Sequence, residues 1–280
     1  MKKRKVVAIV QARIGSSRLS GKVLKPLGNS TVIESLINRL KNSSTIDQIV
    51  IATSCEERDA KIVELFKDSN IKVFRGSEND VLSRYVETAT KTKADIIVRI
   101  TGDCPLIDPK LVDDCVNKII DSDLDYVSNC NNVEKLLPDG FDVEVFTMNS
   151  LRLIQKISIT SAYKEHVTFG YFKTDLFACD SIEYDQNYGH LRLTLDYEED
   201  FVVISKVYEA MKDSFWSWKE ICKFLQENPN IVQINSHIKR NASWDKSIQA
   251  DGLHNRKDNI DREKVIAHSS GLLSKRYDQF

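Results

Sequence analysis

Ile97-Val98-Arg99-Ile100-Thr101-Gly102-Asp103-Cys104-Pro105 decides how this chain is read. The largely apolar run before Gly102 suits a strand covered on both faces of a parallel sheet. Gly-Asp-x-Pro then stops the strand and leaves a carboxylate at its carboxyl edge, where open α/β sheets bind their ligands.

Working outward, residues 6–10 (Val-Val-Ala-Ile-Val) and 48–53 form two more buried strands, and 71–74 a shorter one. Helices are expected between them. Thr31-x-x-Glu34 is a capping box opening a helix with Val32, Ile33, Leu36, Ile37 and Leu40 on its apolar face. Further helices are expected at about 58–67, 81–90 and 109–120, the last with Asp108 as its N-cap before Pro109. Strands alternating with helices imply βαβ crossovers and a doubly wound sheet. Residues 125–128 resume the sheet. Residues 141–146 alternate apolar and acidic, the pattern of a strand with one wet face, and 191–196 read as another alternating strand. Helical periodicity covers 198–211 and 216–225, with a short helix starting near 164.

A chain of 280 residues can bury a sizeable core as one large domain or as a domain plus an appendage, and residues 1–238 are read as the catalytic domain. From about 239 the sequence turns polar and loses apolar periodicity, so 239–280 is expected to be a tail or an oligomerisation arm. A net charge of −1 gives no bulk attraction to nucleic acid or anionic lipid. No run approaches the roughly 20 apolar residues of a membrane span, and the basic start at residues 2–5 is followed by too short an apolar run for a signal peptide. Six scattered cysteines without a C-x-x-C pair fit reduced thiols in a cytoplasm.

Charge is concentrated in one loop after the first strand, Gln11-Ala12-Arg13-Ile14-Gly15-Ser16-Ser17-Arg18-Leu19-Ser20-Gly21-Lys22. Small residues let backbone N–H groups approach an anion, while Arg13, Arg18 and Lys22 offer charge-assisted hydrogen bonds to phosphate. The spacing is not that of a Walker loop, since Val23 stands where a hydroxyl is required. A solvated basic loop is the alternative on composition, and the position after the first strand favours phosphate. Asp103 and Asp196 each close an apolar run, and Mg²⁺ takes one or two carboxylates plus water and substrate phosphate oxygens. Asp142 and Glu144 share a face by period-two geometry and can reach a polar acceptor, the alternative being a solvent-facing edge strand. His166 is a candidate base or acceptor-binding group, or a structural histidine. Arg192 points away from Leu191 and Leu193, toward an anionic group or solvent.

Six ordered motifs carry a resemblance: Q-A-R-x-x-S-x-R-L-x-G-K (11–22), R-G-S-x-x-D-V-L-x-R-Y (75–85), R-x-T-G-D-C-P-L-I-D-P (99–109), P-D-G-F-D-V-E-V-F (138–146), K-E-H-V-T (164–168) and L-x-L-D-Y-E-E-D-F (193–201). The chain resembles the cytidylyltransferase family, which includes the enzymes activating Kdo and other acidic sugars, and most closely its spore-coat-polysaccharide branch. The resemblance covers roughly residues 5–210. It implies a three-layer α/β/α fold like that of nucleotide-diphospho-sugar transferases, Rossmann-like, with a mixed, mainly parallel sheet. It places Gln11, Ala12, Arg13, Ser17, Arg18 and Lys22 on the triphosphate loop, and Arg75, Gly76, Ser77, Asp80 and Arg84 near the base and ribose. Asp103 and Asp196 become Mg²⁺ ligands, with Asp142, Glu144, His166 and Arg192 on the acceptor side. Thr-Gly-Asp-Cys stands where the Kdo enzymes carry Gln-Gly-Asp-Glu, so Cys104 marks where acceptor identity is expected to differ.

The resulting expectation is a cytoplasmic, Mg²⁺-dependent enzyme transferring CMP from CTP to an acidic sugar, a sugar or polyol phosphate or a phosphonate, with Lys22, Arg13 and Asp103 as the catalytic groups. Its partners are a nucleotide and a small acceptor, with neither nucleic acid nor membrane. The resemblance admits a homodimer, to which residues 141–146 can contribute. The alternatives are a guanylyl- or uridylyltransferase of the same fold, a glycosyltransferase, which would call for an Asp-x-Asp metal motif in place of Gly-Asp-Cys, and a non-catalytic nucleotide-binding protein.

Overall fold

The computed structural model describes residues 3–130, 135–157, 160–212 and 214–240. Its centre is a sheet of seven strands: β1 (Val6–Gln11), β4 (Gln48–Ser54), β5 (Lys72–Gly76), β6 (Ile96–Thr101), β7 (Tyr126–Ser128), β8 (Glu144–Thr147) and β9 (Cys179–Ser181). A separate two-stranded hairpin pairs β2 (Pro26–Leu27) with β3 (Ser30–Thr31). Strand order in the large sheet is β5-β4-β1-β6-β8-β7-β9. Every pairing is parallel except those of β8, which runs antiparallel to both β6 and β7. The mixed, mainly parallel sheet implied by the family motifs is therefore present.

The strands read as continuous apolar runs because both faces are covered. In β1, Val6, Ala8 and Val10 enter one core cluster while Val7 and Ile9 enter another on the opposite face. The first face packs α1 (Val32–Leu40), α2 (Ala60–Phe66), α4 (Pro109–Asp121), α8 (Glu198–Met211) and α9 (Trp218–Glu227). The second packs α3 (Val81–Thr92), α5 (Met148–Ile157) and α7 (Phe169–Lys173). Short helices α6 (Ser161–Glu165) and α10 (Pro229–Val232) complete the set among the described residues.

Local signals set several of these elements. Thr31 and Glu34 form the reciprocal capping box at the start of α1. Asp108 caps α4 through the Lys110 N–H at 2.7 Å, and its second oxygen accepts from Trp218 N–H at 2.6 Å, tying α4 to α9. Strands β4 and β6 lie on either side of β1, so the chain order reverses there. The carboxyl ends of β1 and β6, paired at Gln11 and Thr101, flank that switch point, where doubly wound sheets bind ligands.

Two expected strands are corrected. Residues 191–196 form no strand; the segment makes one isolated parallel bridge, Asp139 to Arg192. Leu193 N–H donates to Asp139 O at 2.6 Å and Leu195 N–H to Asp103 O at 2.8 Å. Both sides of the segment are buried, Arg192 and Thr194 included, so its alternation does not report a wet face. Of 141–146 only 144–146 is strand, as part of Glu144–Thr147, and Glu144 is buried. The expected tail at 239–280 lies, from 241 onward, outside the described residues.

Candidate active site

The end of β1 and the end of β6 approach so closely that a side chain at 102 would be crowded. A Cβ there would lie 3.0 Å from both Ala12 Cβ and Gln11 O, and Gly102 N–H donates to Gln11 O at 2.8 Å. This contact carries Asp103 to the side of the basic loop. The loop is fastened at its root by Asp59, fully buried, which accepts from Ile14 N–H at 2.7 Å and from the Ser54 hydroxyl. Buried Leu19 and Val23 anchor its far end. The polar residues between those anchors are thereby turned to the switch point.

The result is a cleft of about 220 Å³. Gln11, Ala12, Arg13, Ser17, Arg18 and Lys22 line it from the loop, and Asp103 and Asp196 from the opposite wall, so eight expected site residues meet there. Ser16, Thr101, Gly102 and Glu165 line it too. All four stand inside the quoted motifs, but no periodicity marks Glu165 as lining the cleft.

Electrostatics inside the cleft are tightly paired. The Lys22 ammonium lies 2.6 Å from Asp103 Oδ2 and 2.9 Å from Asp196 Oδ1, and Arg18 reaches Asp196 Oδ1 at 2.6 Å. Burial favours neutral Lys22, yet the two aspartates outweigh it and raise its pKa. Burial likewise works against ionised Asp103 and Asp196, but Lys22 outweighs it: Asp103 is held below its usual value and Asp196 is lowered to about 2. All three groups are charged at neutral pH.

Among the described residues no group of three or more His, Cys, Asp or Glu side chains is gathered for a metal. The Asp103 and Asp196 pair nevertheless fits a divalent cation that keeps waters and takes phosphate oxygens, because two converging carboxylates already hold a cation, the Lys22 ammonium.

The residues expected near the base gather at the end of β5. Arg75 donates to Ser54 O at 3.1 Å and Glu56 O at 2.9 Å, Ser77 accepts from Asp80 N–H at 3.0 Å, and Asp80 caps α3 through Ser83 N–H at 2.8 Å. Gly76 packs on the Arg84 side chain. Arg84 is fully buried, donates to Ser77 O at 2.6 Å, and has no hydrogen-bond partner at Nε or Nη2. Burial lowers its pKa. Arg13 links this group to the cleft, 4.0 Å from Glu78.

The residues expected on the acceptor side do not converge. Glu144 faces the interior, its carboxylate taken by Arg99 and by the Tyr126 hydroxyl, the latter at 2.7 Å. Asp142 accepts from Gly140 N–H at 3.2 Å and from Arg240 at 2.9 Å. His166 is half-buried at the end of α6, 4.0 Å from Glu165. Arg192 meets anionic groups rather than solvent, and they belong to the chain itself: it is buried among Asp139, Asp196 and Asp200. Alternation alone could not reveal these buried partners.

The basic loop after the first strand and the carboxylate pair thus meet at the switch point of a mixed, mainly parallel sheet. The cytidylyltransferase family model matches residues 7–239, and the chain belongs to that family. It is 34% identical over 235 residues to the spore coat polysaccharide biosynthesis protein SpsF of Bacillus subtilis, covering 80% of this chain and 95% of that protein. A solved cytidylyltransferase from Leptospira borgpetersenii is 32% identical, with a TM-score of 0.79 over 85% of this chain and 100% of that one. A CMP:2-keto-3-deoxy-manno-octonic acid synthetase complexed with CTP is 17% identical, with a TM-score of 0.55 over 74% of this chain and 98% of that one, and it shares the fold.

Proposed function

We propose that this protein transfers CMP from CTP to a small acidic acceptor, releasing pyrophosphate. The acceptor is an acidic sugar, a sugar or polyol phosphate, or a phosphonate, and the step serves surface-glycan or related biosynthesis in the cytoplasm. The observation that carries this reading is the cleft at the β1/β6 switch point, with Arg13, Arg18 and Lys22 on one wall and Asp103 and Asp196 on the other. Membership of the cytidylyltransferase family supports the nucleotide.

In this reading the acceptor oxygen attacks the α-phosphorus in line, the bond from that phosphorus to the bridging oxygen breaks, and pyrophosphate leaves. Lys22, Arg13 and Arg18 hold the triphosphate and neutralise charge that builds on the leaving group. Arg84, buried beneath Gly76 and Ser77, keeps two donor nitrogens unpartnered behind the segment read as facing the base and ribose. Asp103 and Asp196 would hold Mg²⁺, which supplies charge neutralisation at the α-phosphate.

Pyrophosphate release measured with each of the four nucleoside triphosphates, against 3-deoxy-manno-octulosonate and a panel of sugar phosphates, polyol phosphates and phosphonates, tests the proposal. CTP-specific release that requires Mg²⁺ and is abolished by Asp103→Asn is expected. Preference for GTP or UTP overturns the nucleotide assignment, and CTP binding without turnover on any acceptor overturns the catalytic one.

A further inference from the structure

Asp196 sits on a segment that no sheet ladder holds, since residues 191–196 form only the single bridge between Asp139 and Arg192. A cation-binding carboxylate nevertheless needs a fixed direction, because supporting groups orient the ligands of a metal. Arg192, four residues earlier, supplies the link. Its Nη2 donates to Asp196 Oδ2 at 3.1 Å and to Asp200 Oδ2 at 3.1 Å, its Nε to Asp200 Oδ1 at 2.9 Å, and its Nη1 to Asp139 Oδ2 at 2.7 Å. One planar guanidinium therefore makes four hydrogen bonds to three carboxylates, one more than the three donors of an ammonium allow.

The network is closed behind Arg192. Asp200 is fully buried, and its Oδ2 also accepts from Asp196 N–H at 2.9 Å and Tyr197 N–H at 3.0 Å. Asn235, 2% exposed, donates through Nδ2 to Arg192 O at 3.1 Å and to Asp200 Oδ1 at 2.9 Å. The two oxygens of Asp196 are divided in consequence: Oδ2 is held inward by Arg192, while Oδ1 faces the cleft and meets Arg18 and Lys22. Arg192 does not line the cleft itself.

We propose that Arg192, braced by Asp200 and Asn235, is a positioning residue that aims Asp196 Oδ1 at the bound cation and joins Asp196 to Asp139. This rests on the reading of Asp196 as a cation ligand given above. The role belongs to the fork geometry as well as to the charge, so Arg192→Lys keeps the charge and loses the aim.

The test is a double-mutant cycle on Mn²⁺ binding, measured by calorimetry on the full chain with CTP present, together with CTP binding in EDTA. Arg192→Lys is expected to weaken Mn²⁺ about tenfold, a loss of one coupling interaction, while CTP affinity in EDTA changes less than about twofold. In the Asp196→Asn background the same substitution is expected to have almost no further effect on Mn²⁺. A merely structural role would lower Tm and leave the metal affinity of the folded protein intact. Asn235→Ala, which touches neither Asp196 nor the cleft, keeps the test open should Arg192→Lys fold poorly, and is expected to weaken Mn²⁺ about threefold. Unchanged Mn²⁺ affinity in both variants, or a full Arg192→Lys effect in the Asp196→Asn background, overturns the positioning role alone. Absence of Mn²⁺ binding by the unmodified protein overturns the reading of Asp196 as a cation ligand, and this inference with it.

Discussion

Lys22 and Asp103, 81 positions apart in the chain, meet with Nζ 2.6 Å from Oδ2 at the junction of β1 and β6. The pair is mostly buried, and Lys22 serves Asp196 as well. Removing the ammonium leaves two carboxylates facing each other with Arg18 as the nearest compensation. Lys22→Met is therefore expected to lower kcat/KM for CTP by about 10²–10³-fold, the usual effect of losing one group that stabilises transition-state charge. Steady-state kinetics checks this, with Lys22→Arg retaining part of the activity.

The contacts of Asp196 with Lys22 and Arg18 set an acid limit on stability. Burial opposes ionised Asp196, but Lys22 and Arg18 lower its folded pKa to about 2 from the usual 3.8. A depressed carboxylate stabilises the fold fully above its unfolded pKa and loses that contribution as pH falls through the folded one. About 2 kcal/mol should thus be lost from this group between pH 5 and pH 2. Urea unfolding at a series of pH values should show the slope, and Lys22→Met should flatten it. An equal slope in both proteins would rule out this origin.

Gly140 has φ +109°, and a Cβ there would lie 2.5 Å from Leu193 C and 2.6 Å from Thr194 N. The neighbouring atoms are backbone and cannot swing away. Gly140→Ala should cost about 3 kcal/mol through strain and displacement, read as a lower urea midpoint. It should also shift the 139–142 loop against the segment that leads to Asp196.

Glu144 and Arg99 form a buried pair between β8 and β6, with the Tyr126 hydroxyl as a third member. Glu144→Gln removes a charge that Arg99 needs, and breaking one side of a buried pair costs about 3 kcal/mol. Chemical denaturation should show that loss, while the KM for whichever acceptor supports turnover stays within about twofold of the unmodified protein. A large rise in acceptor KM with unchanged stability would return Glu144 to the acceptor side.

Much of this architecture is legible in the residues themselves. The alternation of strands and helices, the capping box at Thr31, the cap at Asp108 and the helix at Glu198–Met211 follow from apolar period and capping chemistry, which act over a few positions. The basic loop and the carboxylate at Asp103 are equally local, each following directly on an apolar strand.

What only the tertiary structure decided is which charges meet. Glu144 and Arg192 carry sequence patterns of half-exposed positions, yet one is buried against Arg99 and the other among Asp139, Asp196 and Asp200. Their partners lie 45 and 53 positions away along the chain or just beyond a turn, and period-two reasoning sees one strand at a time. Sequence alone determined that this is a doubly wound α/β protein with an anion-suited loop beside its first strand. Packing decided that Lys22 joins Asp103 to Asp196 and that Arg192 stands behind them, because buried charges take the partners the fold brings within hydrogen-bond reach.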